Sequence, residues 1–380
     1  MAGVTASRFV SGSPHGQGVT GRPACGTIPG ISYGDFTERV WPRVAAERTP
    51  LDGSMELTFR CNLRCAHCYV NTRSGDRRAK RQEITTSEVL NLADEVADLG
   101  CLTMLLTGGE ALLRPDLPEI YRHLKTRGFL VALFTNGTMV TRRVADFLAE
   151  WPPLVVEITL YGSTPEVYER VTGVPGSYRR CIRGIELLLD RKVRVRLKTV
   201  PLSLNLSEME EMRALAIGYG VNFHWDPLVN CRLDGSGGPL EVRLRPEQIV
   251  ALDRREPRRV KEFRENLAKT DLVGAGADLF DCNAYRHSFH IDPYGRLMPC
   301  MLVRWPAYDL RAGSFRHGWQ EVFPAMQQRP RTKTNACRGC RLTAVCEQCV
   351  GWAQIETGDP EGLVPFLCDL AHARAEAFGS

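Results

Sequence analysis

Three cysteines within eight residues constrain this chain more than any other feature. The run Cys61-Asn-Leu-Arg-Cys65-Ala-His-Cys68 follows the apolar-polar stretch Met55-Glu-Leu-Thr-Phe59, and Tyr69 comes next. A closed structural zinc site takes four protein ligands in a tetrahedron, and an iron-sulfur cluster that only carries electrons is likewise held by four cysteines. Three thiolates on a four-iron cluster leave one iron without a protein ligand, open to another molecule. A zinc knuckle borrowing a distant ligand and a set of buried thiols are the other readings, and the spacing favours the cluster. His67, inside the loop, reads as a spacer because the cysteines already account for the motif.

Composition narrows the setting. The chain has 380 residues, enough for one large and one small domain with a core each. Its fourteen cysteines cluster, whereas a secreted disulfide protein would be shorter and would begin with a signal peptide. Residues 1–24 carry Arg8, His15 and Arg22 among Gly, Ser and Thr without an unbroken apolar stretch. No segment approaches the roughly 20 apolar residues of a membrane helix. The expectation is a reducing cytoplasm, no membrane contact, and thiols used as metal ligands. The net charge is +5, and the dense basic run Arg77, Arg78, Lys80 and Arg81 reads as a solvated loop, not a nucleic-acid contact.

Residues 1–50 read as a flexible leader rich in Gly, Ser, Pro and Thr. From residue 51, apolar runs alternate with amphipathic segments. Strands are predicted at 102–106, 130–134, 155–160, 193–200 and 221–225. A helix over 87–99 carries Val89, Leu92, Val96 and Leu99 on one face, opens with the capping box Thr85-x-x-Glu88 and stops at Gly100. A second opens with Asp116-x-x-Glu119 and ends at Gly128. Such repetition implies an α/β fold with a parallel sheet and covering helices. About six units over residues 51–235 fall short of the eight that close a full barrel. Residues 236–275 read as a charged helical bridge with Arg254 to Arg259 as a solvated interruption, and 276–380 as a small cysteine-rich domain.

In a strand-helix barrel the reactive face lies at the carboxyl ends of the strands. Thr107-Gly108-Gly109-Glu110 falls there, two glycines that admit close backbone approach followed by a carboxylate. Thr135-Asn136-Gly137 ends the next strand, and Thr159-Leu-Tyr161-Gly-Ser the one after. The strand Val193-Arg-Val-Arg-Leu-Lys-Thr199 alternates apolar residues with Arg194, Arg196 and Lys198, so its cations share one side. Asp226 and Asn230 follow the last clear strand.

Together with the three-cysteine loop, these segments resemble radical S-adenosylmethionine (SAM) enzymes, whose fold is a partial (βα)6 TIM-like barrel. The resemblance implies that Cys61, Cys65 and Cys68 hold a [4Fe-4S] cluster with exchangeable SAM on its open iron. It assigns the SAM ammonium to Gly108, Gly109 and Glu110, and places Asn136 and Thr159 near SAM. Arg170, in Glu169-Arg-Val-Thr-Gly173, pairs with a carboxylate of SAM or substrate, and Lys198 with the SAM carboxylate if it points inward. Tyr161 departs from the family, which has an acid there, and suggests a residue shaping the substrate pocket.

The second cysteine set runs Cys282, Cys300, Cys337-x2-Cys340-x5-Cys346-x2-Cys349 and Cys368. Alone, Cys337 to Cys349 could be a zinc ribbon. The whole spacing resembles the SPASM domain, which carries two auxiliary [4Fe-4S] clusters. The resemblance gives Cys282, Cys300 and Cys349 to the nearer cluster, and Cys337, Cys340, Cys346 and Cys368 to the farther one. One spacing departs from the family, which separates the last central pair by three residues where Cys346 and Cys349 are separated by two. Cys25, Cys101, Cys181 and Cys231 are left outside both sets.

The reading is a radical SAM/SPASM maturase that generates a 5'-deoxyadenosyl radical to modify a residue of a ribosomally made peptide or protein. The auxiliary clusters would accept the substrate's electron. No catalytic side chain is named. Expected partners are the peptide or protein substrate, a separate small peptide-recognition protein, and an electron donor such as flavodoxin or ferredoxin, with no nucleic acid. The alternatives are a radical SAM enzyme of redox-cofactor or small-molecule biosynthesis, a non-catalytic iron-sulfur carrier or sensor, and a zinc-stabilised interaction protein.

Overall fold

The computed structural model describes residues 33–268, 278–280, 282, 284–334, 337 and 339–379. Cys25 and residues 1–32 of the expected leader lie outside them. Within that leader, Tyr33–Glu47 is a helix, α1. It is tied to the C-terminal half: Trp41 packs on His287 with ring centroids 4.4 Å apart, and Arg48 donates to the carbonyls of Tyr285 and Trp319. Its anchoring partners lie more than 200 residues away, beyond the reach of local pattern.

Six parallel strands follow in chain order: β1 Asp52–Thr58, β2 Thr103–Gly108, β3 Leu130–Thr135, β4 Val155–Thr159, β5 Val195–Thr199 and β6 Asn222–Trp225. Their helix-facing residues, including Met104, Leu106, Leu133, Val156, Ile158 and Leu197, are buried against the covering helices. Between the strands lie α2 Thr86–Asp98, α3 Leu117–Thr126, α4 Arg142–Glu150, α5 Pro165–Thr172, α6 Ser177–Leu189 and α7 Met209–Gly218. The expected capping box is present on α2, where Thr85 and Glu88 exchange side-chain and backbone hydrogen bonds.

The box expected on α3 is not formed. Asp116 makes no side-chain cap; its carboxylate accepts from Arg114 Nε at 2.9 Å and from Thr86 Oγ1 at 2.6 Å. Arg114 is buried and also donates to the carbonyls of Leu57 and Ile84, so a charge pair outcompetes the local cap.

The sheet does not stop at β1. Strand β7, Ser288–Ile291, pairs parallel with β1; β8, Arg296–Met298, is antiparallel to β7; and β9, Tyr308–Asp309, is antiparallel to β8. The cysteine-rich segment expected to stand apart therefore contributes three strands to one nine-stranded sheet. These strands are two to four residues long, too short for alternation to announce them.

The bridge forms α8, Pro246–Asp253, and α9, Pro257–Ala268. Arg259 is not a solvated interruption: it pairs with buried Asp253 at 2.8 Å and lies 4.2 Å from the centroid of the Trp225 ring. Two further helices, α10 Val350–Thr357 and α11 Pro365–Phe378, close the chain. Arg374 of α11 is buried against Asp253 at 3.1 Å.

Burial would raise the Asp116 carboxyl, but hydrogen bonds from Arg114 and Thr86 and the Arg114 charge outweigh it and hold the group at about 2. A carboxyl lowered by folding stabilises above its unfolded range and loses that contribution as pH falls toward 2. Asp116→Ala is expected to lower unfolding stability by about 3 kcal/mol, because Arg114 is left buried without its partner. In denaturant titrations, the difference from wild type should shrink between pH 4 and pH 2.

Candidate active site

The cysteine loop is held on every side by its own backbone and by two asparagines. Arg60–Cys61 pairs with Thr72–Arg73 as a short parallel ribbon. Arg64 N donates to Thr172 O at 2.8 Å and Ala66 N to Val171 O at 2.9 Å, which makes the end of α5 a shelf beneath the loop. Gly173 closes α5 in the left-handed region, φ 65°, and a Cβ there would lie 3.1 Å from Arg64 O. Asn62 donates to Thr138 Oγ1 at 2.8 Å and accepts from Asn136 Nδ2 at 2.9 Å. The same Asn136 amide group reaches Cys61 Sγ at 3.7 Å.

The loop leans on the turn after β2. Gly109 N donates to Thr58 O at 2.7 Å and Glu110 N to Arg60 O at 3.0 Å. Cβ atoms at these positions would collide with backbone: at Gly108 2.2 Å from Thr58 O, and at Gly109 2.5 Å from the carbonyl oxygens of Phe59 and Arg60. Gly108 also has φ 129°. The glycines are thus required by the fit of two strand ends, whatever ligand the turn receives.

Glu110 is fully buried and its oxygens accept from Thr135 Oγ1, Asn136 N and Leu112 N at 2.9–3.0 Å. Burial raises its carboxyl despite these donors. In this structure Glu110 holds the Thr135-Asn136-Gly137 turn in place, and through Asn136 it steadies the cysteine loop.

Thr159, Lys198 and the side chains in register with them line the inner face of the sheet. Lys198 points inward: its Nζ is 2.9 Å from Glu157 Oε1 and 3.5 Å from the centroid of the Phe134 ring. Arg196 and His224 approach the same buried Glu157 at 3.7 and 3.5 Å. Arg170 is not brought to this face. It is exposed on α5 and donates to Leu204 O at 2.8 Å, because a helix-end side chain directed outward cannot reach the strand ends. Asp226 accepts from Leu228 N at 3.0 Å, within its own turn.

Tyr161 lies under the cysteine loop: its hydroxyl contacts the Cys65 thiol, and its ring centroid is 5.0 Å from that of His67. Burial lowers His67 to about 4. Tyr69, after the last cysteine, donates to Glu56 Oε1 at 2.6 Å. Sequence reasoning passed over Glu56, Asn62 and Glu157. The available signal was a carboxylate at an alternating inner position of β1 and of β4.

The three thiols lie near enough to feel one another's charge, Cys61 that of Cys68 and Cys65 those of both. Cys61 is pushed up to about 12 by burial, with the charges of Glu110 and Cys68 adding; Cys65 rises further and Cys68 rises for the same first reason. Thiolates so placed need positive charge among them. Amide donors already face the sulfurs, Leu63 N to Cys61 at 3.4 Å and Asn71 N to Cys68 at 3.2 Å, as around iron-sulfur clusters. Among the described residues, no three His, Cys, Asp or Glu side chains gather as around one metal ion. An all-thiol donor set with mutual repulsion, fixed by amides, fits a three-cysteine iron-sulfur cluster.

The other cysteines fall into two groups. Cys349 feels the charges of Cys300 and Cys282; Cys346 feels Cys337, Cys340 and Cys368. Cys349 caps α10, and Gly351 lets that helix press on the Cys300 loop, since a Cβ there would sit 2.6 Å from the Leu302 carbonyl. Cys101 and Cys181 are buried among core residues. Cys231 is buried too, with Glu356 and Arg243 as its charged neighbours.

Residues 55–216 match the family model of the radical SAM superfamily. An AdoMet-dependent heme synthase of Methanosarcina barkeri is 28% identical over 349 residues, 83% of this chain and 95% of the relative. A mycofactocin maturase MftC of Mycobacterium ulcerans is 29% identical over 327 residues, 82% and 85%. The crystal structure of Streptococcus suis SuiB bound to precursor peptide SuiA superposes with a TM-score of 0.65 at 15% identity, covering 96% of this chain and 86% of that one. At that identity the likeness concerns the fold.

Gly109→Ala is expected to remain soluble but to take up about four fewer irons on anaerobic reconstitution, because the new methyl must displace the Phe59–Cys61 backbone. Iron analysis against wild type checks this.

Proposed function

We propose, from the premise that residues 55–216 are a radical SAM domain, that this enzyme modifies a residue of a ribosomally made peptide or protein. The observation that carries the reading is the loop of three mutually interacting thiols clamped against the Gly108-Gly109 turn. When bound, a [4Fe-4S] cluster with SAM supplies the radical that starts the chemistry. The residues proposed to hold the cluster are Cys61, Cys65 and Cys68.

The remaining roles belong to the chain. The backbone at Gly108 and Gly109 is proposed to receive the ammonium of SAM, with Glu110 fixing the turn and supplying negative charge behind it. Thr159 and Lys198 are proposed to face the ribose and carboxylate end, with Glu157 orienting Lys198 at 2.9 Å. Phe134 beneath the ammonium of Lys198 shields it from water on one side. Cys282, Cys300 and Cys349, and separately Cys337, Cys340, Cys346 and Cys368, are proposed to hold two auxiliary clusters, which would supply acceptors for the substrate's electron. Peptide maturation is supported by the likeness to a maturase over most of both chains. A separate small recognition protein and a cytoplasmic setting belong to the same proposal; among the described residues no helix is long and apolar enough to cross a membrane.

A second reading, small-molecule or redox-cofactor biosynthesis, is favoured by one finding: the heme synthase relative is matched over 95% of its length. Product mass separates the two. In the first, the 5'-deoxyadenosine formed is matched by a mass change in the peptide.

Reconstituted protein is expected to hold about twelve irons per chain, and Cys61→Ala/Cys65→Ala/Cys68→Ala about eight. With dithionite, wild type should convert SAM to 5'-deoxyadenosine and methionine. In Glu110→Gln the amide oxygen still accepts from one backbone N–H while the NH2 faces the other, so iron content is measured alongside; in the iron-replete fraction SAM affinity should fall about tenfold, as for a lost charge-assisted contact. Unchanged SAM affinity would remove Glu110 from the ammonium site.

A further inference from the structure

Each sulfur of the first cysteine loop is met by a different donor. Cys61 Sγ receives Leu63 N at 3.4 Å and the Asn136 amide at 3.7 Å, and Cys68 Sγ receives Asn71 N at 3.2 Å. Cys65, the buried one of the three, has the hydroxyl of Tyr161. That phenol is aimed from several sides. Its ring lies between those of His67 and Tyr168, with centroids 5.0 and 5.9 Å away. Its backbone carbonyl accepts from Asn205 Nδ2 at 3.2 Å, and Asn205 is itself fully buried, donating also to Val200 O and accepting from Leu202 N.

The far end of the same loop is met by a cation. Leu233 N donates to Tyr69 O at 2.9 Å, which brings the segment after β6 against the residue following Cys68. Arg232 stands at this junction, and Cys68 feels its charge. The guanidinium is little engaged among the described residues: Nε is buried without a hydrogen-bond partner, and Nη1 reaches Ser236 Oγ at 3.3 Å. Asp234 also feels this charge, but one of its oxygens is taken by Ser236 N at 2.9 Å. Gly238 leaves the space that the guanidinium fills, since a Cβ there would lie 2.6 Å from Nη1.

We infer that Tyr161, acting through Cys65, and Arg232, acting through Cys68, raise the reduction potential of the cluster proposed for this loop. The inference rests on the cluster-holding role proposed above. On reduction such a cluster gains one electron and no atom. A hydroxyl donor and a nearby cation both favour the more negative state, and hydrogen bonds to ligand sulfurs and net charge are the levers that set these potentials. Both act more strongly where water is excluded, as at Cys65. Leu63 N and Asn71 N are backbone groups that any sequence on this loop would offer. Tyr161 and Arg232 are particular side chains of this chain, supplied after two different strands, β4 and β6.

The test is a mediated dithionite titration of the full reconstituted chain, following by electron paramagnetic resonance the reduced signal that Cys61→Ala/Cys65→Ala/Cys68→Ala lacks. Tyr161→Phe keeps the ring and removes the donor. In it the ratio of reduced to oxidised cluster at a fixed poise should fall about tenfold, a midpoint lowered by about 59 mV for one electron. Arg232→Gln should lower the ratio about threefold at low salt and less at high salt, because the half-buried charge is screened. Arg232→Lys, which keeps the charge, should restore most of the wild-type ratio, and the Tyr161 effect should be indifferent to salt. An unchanged midpoint in Tyr161→Phe overturns its role, and so does loss of iron from the loop in that variant, which would make the phenol a structural support. A midpoint lowered equally in Arg232→Gln and Arg232→Lys, or unmoved in both, overturns the role of Arg232. In each of these cases dithionite-driven formation of 5'-deoxyadenosine by wild type leaves the SAM-cleaving role standing. A reduced spectrum of the triple variant equal to that of wild type overturns both that role and this inference.

Discussion

Glu56 is the carboxylate on which the two halves of the molecule meet. It has no exposed surface, a costly position for a charge unless it is fully partnered. Tyr69 reaches it from the first cysteine loop at 2.6 Å, His290 from β7 at 2.9 Å, and Arg304 from the loop after Cys300 at 2.9 Å. Burial would raise its carboxyl, but the charges of Arg304 and His290 outweigh burial and hold it well below the usual carboxylate range. One side chain of β1 thereby fixes both cysteine-bearing loops relative to the same strand. Ser54, two residues earlier on that face, continues the contact to His290 Nδ1 at 2.8 Å.

The outer edge of β1 explains why this junction exists. A partial barrel leaves the first strand with an unpaired edge, and β7 covers it in parallel register, Ser54 beside His290. The cysteine-rich segment is therefore built onto the barrel, and the distance between its thiols and the first loop is set by sheet register. The same economy appears at the glycine turn, where Gly108 and Gly109 lie against the carbonyls of Thr58, Phe59 and Arg60. The loop that carries the thiols and the turn proposed to receive SAM are packed as one unit.

Much of this was legible in the sequence where it depends on local order. Five of the six parallel strands lie within two residues of their predicted runs, the first begins three residues before the Met55–Phe59 stretch, and the Thr85 box caps α2 as its spacing predicts. The three-thiol loop was evident from spacing; the division of the other cysteines came from resemblance, which can carry a spatial grouping that spacing cannot. What sequence hid depends on distant partners. Asp116 has the signature of a cap and is taken by Arg114; α1 is held by Tyr285 and Trp319; Arg170 sits in a suggestive segment but points outward. Glu110 stood out in sequence as a candidate, while its full set of internal donors, Thr135, Asn136 and Leu112, did not.

The central claim is that the loop of Cys61, Cys65 and Cys68 builds a cluster with one iron open to SAM. Electron paramagnetic resonance of the dithionite-reduced protein, recorded with and without SAM, tests it most directly. One of the overlapping cluster signals should shift when SAM is added, and that SAM-sensitive component should be missing from the triple Cys→Ala variant of the loop. A reduced spectrum indifferent to SAM, or a SAM-sensitive signal that survives loss of the three thiols, would contradict the account.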